Sequence, residues 1–345
     1  MRIAVVSTPF VRVPPATYGG TELVVAALVE GLAARGHDVT LYATGDSRAR
    51  CTVRAFFAEA CWPPDPVLEM AHAAWAMRDV RLRGADVVHV HAPSALCHAD
   101  DVGAPVVYTL HHAPDPRLAE LYRAVAGDAR MVAISARQRD VLGLGLATPV
   151  VHHGLWPRRY RLGGGAGGYV AFLGRFAPEK GAHAAVDAAR RAGLAIRVAG
   201  RCHPPDVEYW RRELVPRFTL PGVHAMGEAD PRRKVDLLGD ALATLFPIDW
   251  EEPFGLVMIE SMLCGTPVIA YRRGAAPEIV DEGVTGFLVD DVDGLVARLE
   301  ALARGPFDRV ACRRRAMRRF GAERMVEDYL DVYRGVTTQA LELVP

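Results

Sequence analysis

Two successive series of alternating strand and helix signals, separated by a glycine-rich break, constrain this chain more than any other feature. In the first series, RIAVVST (2–8), DVTLYAT (38–44), ADVVHVHA (85–92), PVVYTLH (105–111) and RMVAIS (130–135) read as strands. TELVVAALVEGLAARG (21–36) has apolar residues at helical spacing and closes on Gly36. The second series holds YVAFLGRF (169–176), AIRVAGR (195–201), DALATLFP (240–247), TPVIAY (266–271) and GFLVD (286–290), with a helix through AAVDAARRAG (184–193). Near-continuous apolar strands suit parallel sheets covered on both faces. The expected class is therefore α/β, with two Rossmann-like doubly wound domains facing a central cleft and ligands beyond the carboxyl ends of the strands. VVHHGLWPRRYRLGGGAGG (150–168) is the expected linker. The boundaries drawn are 1–155, 156–325 and 326–345, the last within an amphipathic helix, ERMVEDYLDVYRGVTTQALELV (323–344).

A length of 345 residues, half of them hydrophobic, is enough for two cores. Lys plus Arg and Asp plus Glu are both 41, and this balance argues against a nucleic-acid binder driven by charge. The six cysteines (51, 61, 97, 202, 264, 312) form no CxxC and read as free thiols in a reducing compartment. The opening MRIAVVSTPF is too short an apolar run for a signal peptide, and no run reaches the roughly 20 residues of a membrane span. A soluble cytoplasmic protein is expected, with membrane contact possible but not indicated.

Chemistry concentrates in the second series. In EEPFGLVMIE (251–260), Pro253 suits a helix entry, and Gly255 lets a ligand approach the backbone. The first-turn N–H groups, near residues 255 to 258, lack intrahelical partners and favour an anion. Glu252 precedes the helix, and Glu260 lies about 7 Å further along it. A carboxylate beside a diphosphate is repelled unless it accepts hydrogen bonds from hydroxyls. The pattern suggests a nucleotide-sugar, against the plain alternative of two solvated surface acids. In FLGRFAPEKGAHAAV (172–186), Gly174 ends a strand and Arg175 and Lys180 precede a helix. Two cations in such a loop can bind phosphates, although the spacing is not that of a P-loop.

These segments resemble the retaining family 4 glycosyltransferases. GRFAPEKG resembles that family's Gly-Arg…Lys-Gly segment. EPFGLVMIESMLCGTPVIAYRRGAAPEIVDEGVTGFLV resembles its paired-glutamate signature, and YGGTELVVAALVEGLAARGHDVTLYATGDS its glycine-rich loop and first helix. The resemblance implies a GT-B fold. It also implies an acceptor-binding N-terminal domain, a nucleotide-sugar-binding C-terminal domain, and a last helix that crosses back to the first domain. Carried over, Arg175 and Lys180 neutralise the donor diphosphate, and Glu260 holds the ribose hydroxyls. Glu252 faces the donor sugar, with the backbone of Phe254, Gly255 and Leu256 near sugar and phosphate. Gly19 and Gly20 close over the diphosphate, and His111 lies beside the reacting sugar. His112 rivals His111 by one residue of register. His153 stands where the family often has Asn and either contacts the donor or only ends a strand, and Glu251 is an extra acid without an assigned role.

The implied activity is a retaining, metal-independent transfer of a hexose-type sugar from a nucleotide-diphosphate sugar to a hydroxyl acceptor, with UDP-sugar favoured over GDP-mannose and no cofactor. The alternatives are a non-catalytic nucleotide- or glycan-binding subunit and a nucleotide-sugar epimerase of the same fold. Asp291-Val-Asp293 mimics a metal motif but reads as a turn before a helix. His89, His91, His98, His111 and His112 could form a metal cluster, against a reading as strand-end histidines. CRRRAMRRF (312–320) could meet anionic lipid or nucleic acid, against a reading as a solvated helix face. The segment of Met70, Trp75 and Met77 could wall an acceptor site or simply pack a core.

Overall fold

The computed structural model describes residues 1–342. Its first elements are β1 (Arg2–Val6), α1 (Gly20–Ala34), β2 (Asp38–Ala43), β3 (Thr52–Ala55), α2 (Pro66–Arg83), β4 (Val87–Val90), β5 (Val106–Thr109), α3 (Pro116–Ala124), β6 (Ala129–Val132) and α4 (Ala136–Val141). The second series comprises β7 (Tyr169–Leu173), α5 (Ala182–Arg191), β8 (Ala195–Ala199), α6 (Val207–Tyr209), α7 (Val215–Phe218), β9 (Val223–Gly227), α8 (Pro231–Asp240), β10 (Thr244–Phe246), α9 (Leu256–Leu263), β11 (Val268–Tyr271), α10 (Ala276–Ile279), β12 (Gly286–Val289), α11 (Val292–Arg304) and α12 (Arg309–Phe320). The last helix is α13 (Ala322–Glu342). The tail reading extended to residue 344, so its end lies outside the described residues.

Each series makes a six-stranded parallel sheet. The orders are β3-β2-β1-β4-β5-β6 and β12-β11-β10-β7-β8-β9, which is one doubly wound topology used twice. Its switch points fall between β1 and β4 and between β7 and β10. The chain divides into two compact units, one of Met1–Gly154 plus the chain from Ala322 onward, the other of Leu155–Gly321.

In the first unit, Ala4, Val6, Val88, Val90 and Tyr108 pack on α2 residues Ala73, Ala76, Met77 and Val80. Helix α13 lies on the first unit's sheet and on α1. The buried Tyr333 hydroxyl is 2.7 Å from His89 Nδ1, Tyr329 Oη is 2.7 Å from Thr109 Oγ1, and Arg35 pairs with Glu327 at 2.6 Å. Gly154 N–H reaches Met325 Sδ at 3.1 Å. Met77 belongs to this core, Trp75 packs on Tyr42 and Phe56, and Met70 is exposed.

In the second unit, β7, β8, β10 and β11 are covered by α5 and α11 through Ala185, Val186, Ala189, Leu295 and Leu299. The glycine-rich break read as the linker spans the boundary at Gly154/Leu155, and its glycines are hydrogen-bonded to the second unit. Gly163 N–H donates to Cys264 O, Gly165 to Gly239 O and Gly167 to Asp240 O, and a Cβ on Gly163 would sit 1.9 Å from Gly239 O. The arginines of α12 divide: Arg314 and Arg318 are exposed, as a solvated face would be, whereas Arg309, Arg313 and Arg319 turn inward. Arg309 caps the carbonyls of Gly163, Gly239 and Ala241, Arg313 those of Pro157, Tyr160 and Leu263, and Arg319 those of Glu278 and Ile279. They supply donors to carbonyls that loops and helix ends leave over. Where the chain enters and leaves this unit, Leu155 N–H bonds Phe320 O at 2.9 Å, and Leu155 bridges Gly321.

Candidate functional site

In the second unit the loops after β7 and β10 lie at the switch point, where doubly wound sheets hold their ligands. The two loops are joined through backbone: Asp249 N–H donates to Glu179 O at 2.8 Å. Gly181 has a φ of +73°, and a Cβ there would meet Pro247 O at 2.0 Å, so only glycine permits this approach. That contact sets Lys180 against Glu252, and Lys180 Nζ pairs with Glu252 Oε2. Trp250 Nε1–H donates to the same oxygen at 2.6 Å, and its ring lies 4.6 Å from Nζ. The Glu252 backbone is held as well, with its carbonyl accepting from Ala275 N–H at 2.9 Å.

Arg175, carried by the β7 loop just after Gly174, turns to other acids, pairing with Asp206 at 2.9 Å and with Glu179. Helix α9 starts at Leu256, so Pro253 and Phe254 lie in the loop before it rather than in its first turn. Gly255 caps the helix with φ +85°, where a Cβ would meet Phe246 and Met258. Phe254 is buried, with its ring centroid 6.0 Å from that of Phe320. Glu260, one turn into α9, is 4% exposed. The Tyr160 hydroxyl donates to its Oε1 at 3.1 Å, and Lys234 Nζ lies 3.9 Å from the same oxygen. Burial, and then the charge of Glu260, hold the Tyr160 hydroxyl far above its usual pKa, so it stays a donor.

Trp250, Tyr160 and Lys234 were missed in the sequence. A signal for Lys234 existed: of the 41 Lys and Arg residues, only Lys180 and Lys234 are lysines.

In the first unit, Gly19 caps α1 with φ +143°, and Gly20 opens the helix. Glu22, buried behind them, accepts from the Thr8 hydroxyl at 2.7 Å, and burial raises its pKa. His111 joins a row of imidazoles. Its Nε2 is 2.8 Å from His91 Nδ1, its ring stacks on His153 at 5.3 Å, and His91 lies 4.2 Å from His89. Burial pushes all four pKa values down, to about 3 for His89 and His153, so the row is neutral near pH 7. His112 points outward, and neither it nor His98 joins the row. Among the described residues no three His, Cys, Asp or Glu side chains group so as to hold a metal. Asp291 caps α11 through Gly294 N–H at 2.8 Å, and Asp293 pairs with Arg191 at 2.6 Å.

Residues 166–319 match the family model described as glycosyl transferases group 1, and residues 18–159 match the model of glycosyltransferase family 4. Glycogen synthase of Mycobacterium tuberculosis is 29% identical over 95% of this chain and 91% of its own length. AviGT4, a glycosyltransferase involved in avilamycin A biosynthesis, superposes with a TM-score of 0.77 at 26% identity, covering 98% of both chains. An Anabaena protein, Alr3699/HepE, crystallised in complex with UDP-glucose, superposes at 0.75 with 20% identity over 97% of this chain and all of its own. With two parallel six-stranded sheets of one topology, the fold and these matches define a GT-B glycosyltransferase. The chain belongs to the family 4 type of these enzymes.

Proposed function

We propose that the chain transfers a hexose-type sugar, with retention and without a metal ion, from a nucleotide-diphosphate sugar to a hydroxyl acceptor. A UDP-sugar is favoured over GDP-mannose. The observation that carries this reading is the meeting of Lys180 with Glu252 at the β7–β10 switch point, with Glu260 one turn further along α9. In this reading Lys180, Arg175 and the first N–H groups of α9 neutralise the leaving diphosphate. Glu260 accepts from the ribose hydroxyls and Glu252 from the sugar. His111 is assigned to the reacting sugar, and Gly19 and Gly20 to the diphosphate.

The second unit is thus the donor-binding domain and the first the acceptor-binding domain. A cytoplasmic setting is part of the proposal, supported by six free cysteines and by the lack of any described helix long and apolar enough to cross a membrane. Thermal denaturation with UDP, GDP and ADP, before and after EDTA treatment, tests it. The expected result is a rise in Tm that is largest with UDP and survives EDTA, since a ligand of the folded state stabilises by mass action. No rise with any nucleotide would defeat the nucleotide-sugar reading, and a rise or a turnover that EDTA abolishes would defeat metal independence.

A further inference from the structure

Each glutamate of the site is met on one oxygen by a lysine and an aromatic donor, with Lys180 hydrogen-bonded to Glu252 and Lys234 at ion-pair distance, 3.9 Å, from Glu260. Glu252 receives Lys180 and the Trp250 indole N–H on one oxygen, Oε2. Glu260 receives the Tyr160 hydroxyl and faces Lys234, both on one oxygen, Oε1. Each clamp is one lysine plus one aromatic donor, and each leaves the second carboxylate oxygen without a protein hydrogen bond among the described residues. The lysines are the chain's only two, in a sequence otherwise supplied with arginine.

The difference between the two cations explains this use. Guanidinium is a planar fork that matches both oxygens of a carboxylate, whereas ammonium is a point charge that engages one. The same unit shows what an arginine fork can do: Arg217 takes both oxygens of Asp187, through Nε to Oδ1 at 3.0 Å and Nη2 to Oδ2 at 2.9 Å, although Arg175 takes only one of Asp206. Arg315 and Arg319 together occupy both oxygens of Asp281. A carboxylate held that way has little acceptor capacity left for a ligand.

We propose that Lys234 with Tyr160, and Lys180 with Trp250, are positioning clamps. They anchor one oxygen of Glu260 and of Glu252 and so present the other to a hydroxyl of the bound nucleotide-sugar, a task that suits a point charge better than a two-pronged fork. The inference rests on the nucleotide-sugar reading above. It adds Lys234, Tyr160 and Trp250 to the site and gives Lys180 a second duty, which its three N–H donors allow beside a phosphate contact.

The test is calorimetric titration of UDP into the full chain and into Lys234→Arg, Tyr160→Phe and Glu260→Gln, with urea midpoints as the folding control. Lys234→Arg keeps the charge, yet UDP binding is expected to weaken at least about tenfold, the scale of one hydrogen bond to a charged group. Tyr160→Phe should weaken it less. For the other clamp, Lys180→Arg and Trp250→Phe should lower kcat more than they raise KM for the donor. Wild-type affinity in Lys234→Arg, while Glu260→Gln loses affinity, overturns the clamp alone. Unchanged affinity in Glu260→Gln overturns the nucleotide reading and the clamp with it. Should Lys234→Arg fail to fold, side-chain NMR of the two lysines decides. Tyr160→Phe should shift the Lys234 signal and spare Lys180, and a Lys234 signal indifferent to both Tyr160→Phe and Glu260→Gln overturns the proposal.

Discussion

At the scale of single residues, the ion pair of Lys180 with Glu252 changes what substitutions there should do. On the proposed assignment of Lys180 to the leaving diphosphate, Lys180→Ala should lower kcat/KM by about 10²-fold while the fold survives; wild-type kcat/KM with every accepted donor would refute the assignment. Glu252→Ala removes the acid that Lys180 now faces, so nucleoside diphosphate affinity should hold or rise while kcat falls. Glu260→Ala should instead weaken nucleotide binding by about 1.5–3 kcal/mol. Calorimetry beside steady-state kinetics separates the two, and equal losses of affinity would end the division of labour. Lys180, Glu252 and Glu260 could be named as candidates from the sequence because local spacing and a family signature marked them. Trp250 was passed over although it stands two residues from Glu252. Tyr160 lies 100 residues from Glu260, a distance that no local pattern spans, and Lys234 could be noticed only through the scarcity of lysine.

At the scale of elements, the apolar central strands were readable and the edge strands β3 and β9 were not. β1, β4, β5 and β7 are buried along nearly their whole length, so their residues are mostly apolar, with His89 and Thr109 as buried exceptions. Only one residue of β9 is buried, and none of β3, so their side chains carry no such pattern. Part of the α12 arginine run was hidden for a related reason: charge in a sequence does not tell whether its partner is water, as for Arg314 and Arg318, or a backbone carbonyl, as for Arg313 and Arg319. Arg309→Met should cost about 1–3 kcal/mol, because Gly163, Gly239 and Ala241 would lose a charged donor at once. Arg309→Lys should recover little of it, since one ammonium cannot follow the fork. The drop would appear as a lower urea midpoint, and unchanged midpoints would return this arginine to the surface.

At the scale of the whole molecule, the histidines set the response to acid. His72, His89, His91, His111 and His153 have folded-state pKa values depressed by burial, to about 4 for His72 and about 3 for His89 and His153. Above pH 6.5 both folded and unfolded forms are neutral and stability is level. As pH falls below 6.5 the unfolded chain takes up protons that the fold refuses, at about 1.4 kcal/mol per unit for each group. Glu22, its pKa raised by burial, acts in the opposite sense but is one group against five. Tm should therefore be flat above about pH 7 and fall as pH drops below 6.5; a Tm level down to pH 4 would contradict the burial of these rings. The hydrogen bond from Leu155 to Phe320 has a separate consequence. Because the chain enters and leaves Leu155–Gly321 on neighbouring backbone, that segment is topologically an insertion whose two ends meet. It should be excisable: residues 155–321 made alone should unfold cooperatively in urea, and joining their ends by a short glycine linker should allow circular permutation at an exposed loop. The remainder, with Gly154 spliced to Ala322, is already closed by the Gly154–Met325 contact. If the excised segment showed no cooperative transition, the two units would have to be treated as one folding cooperative.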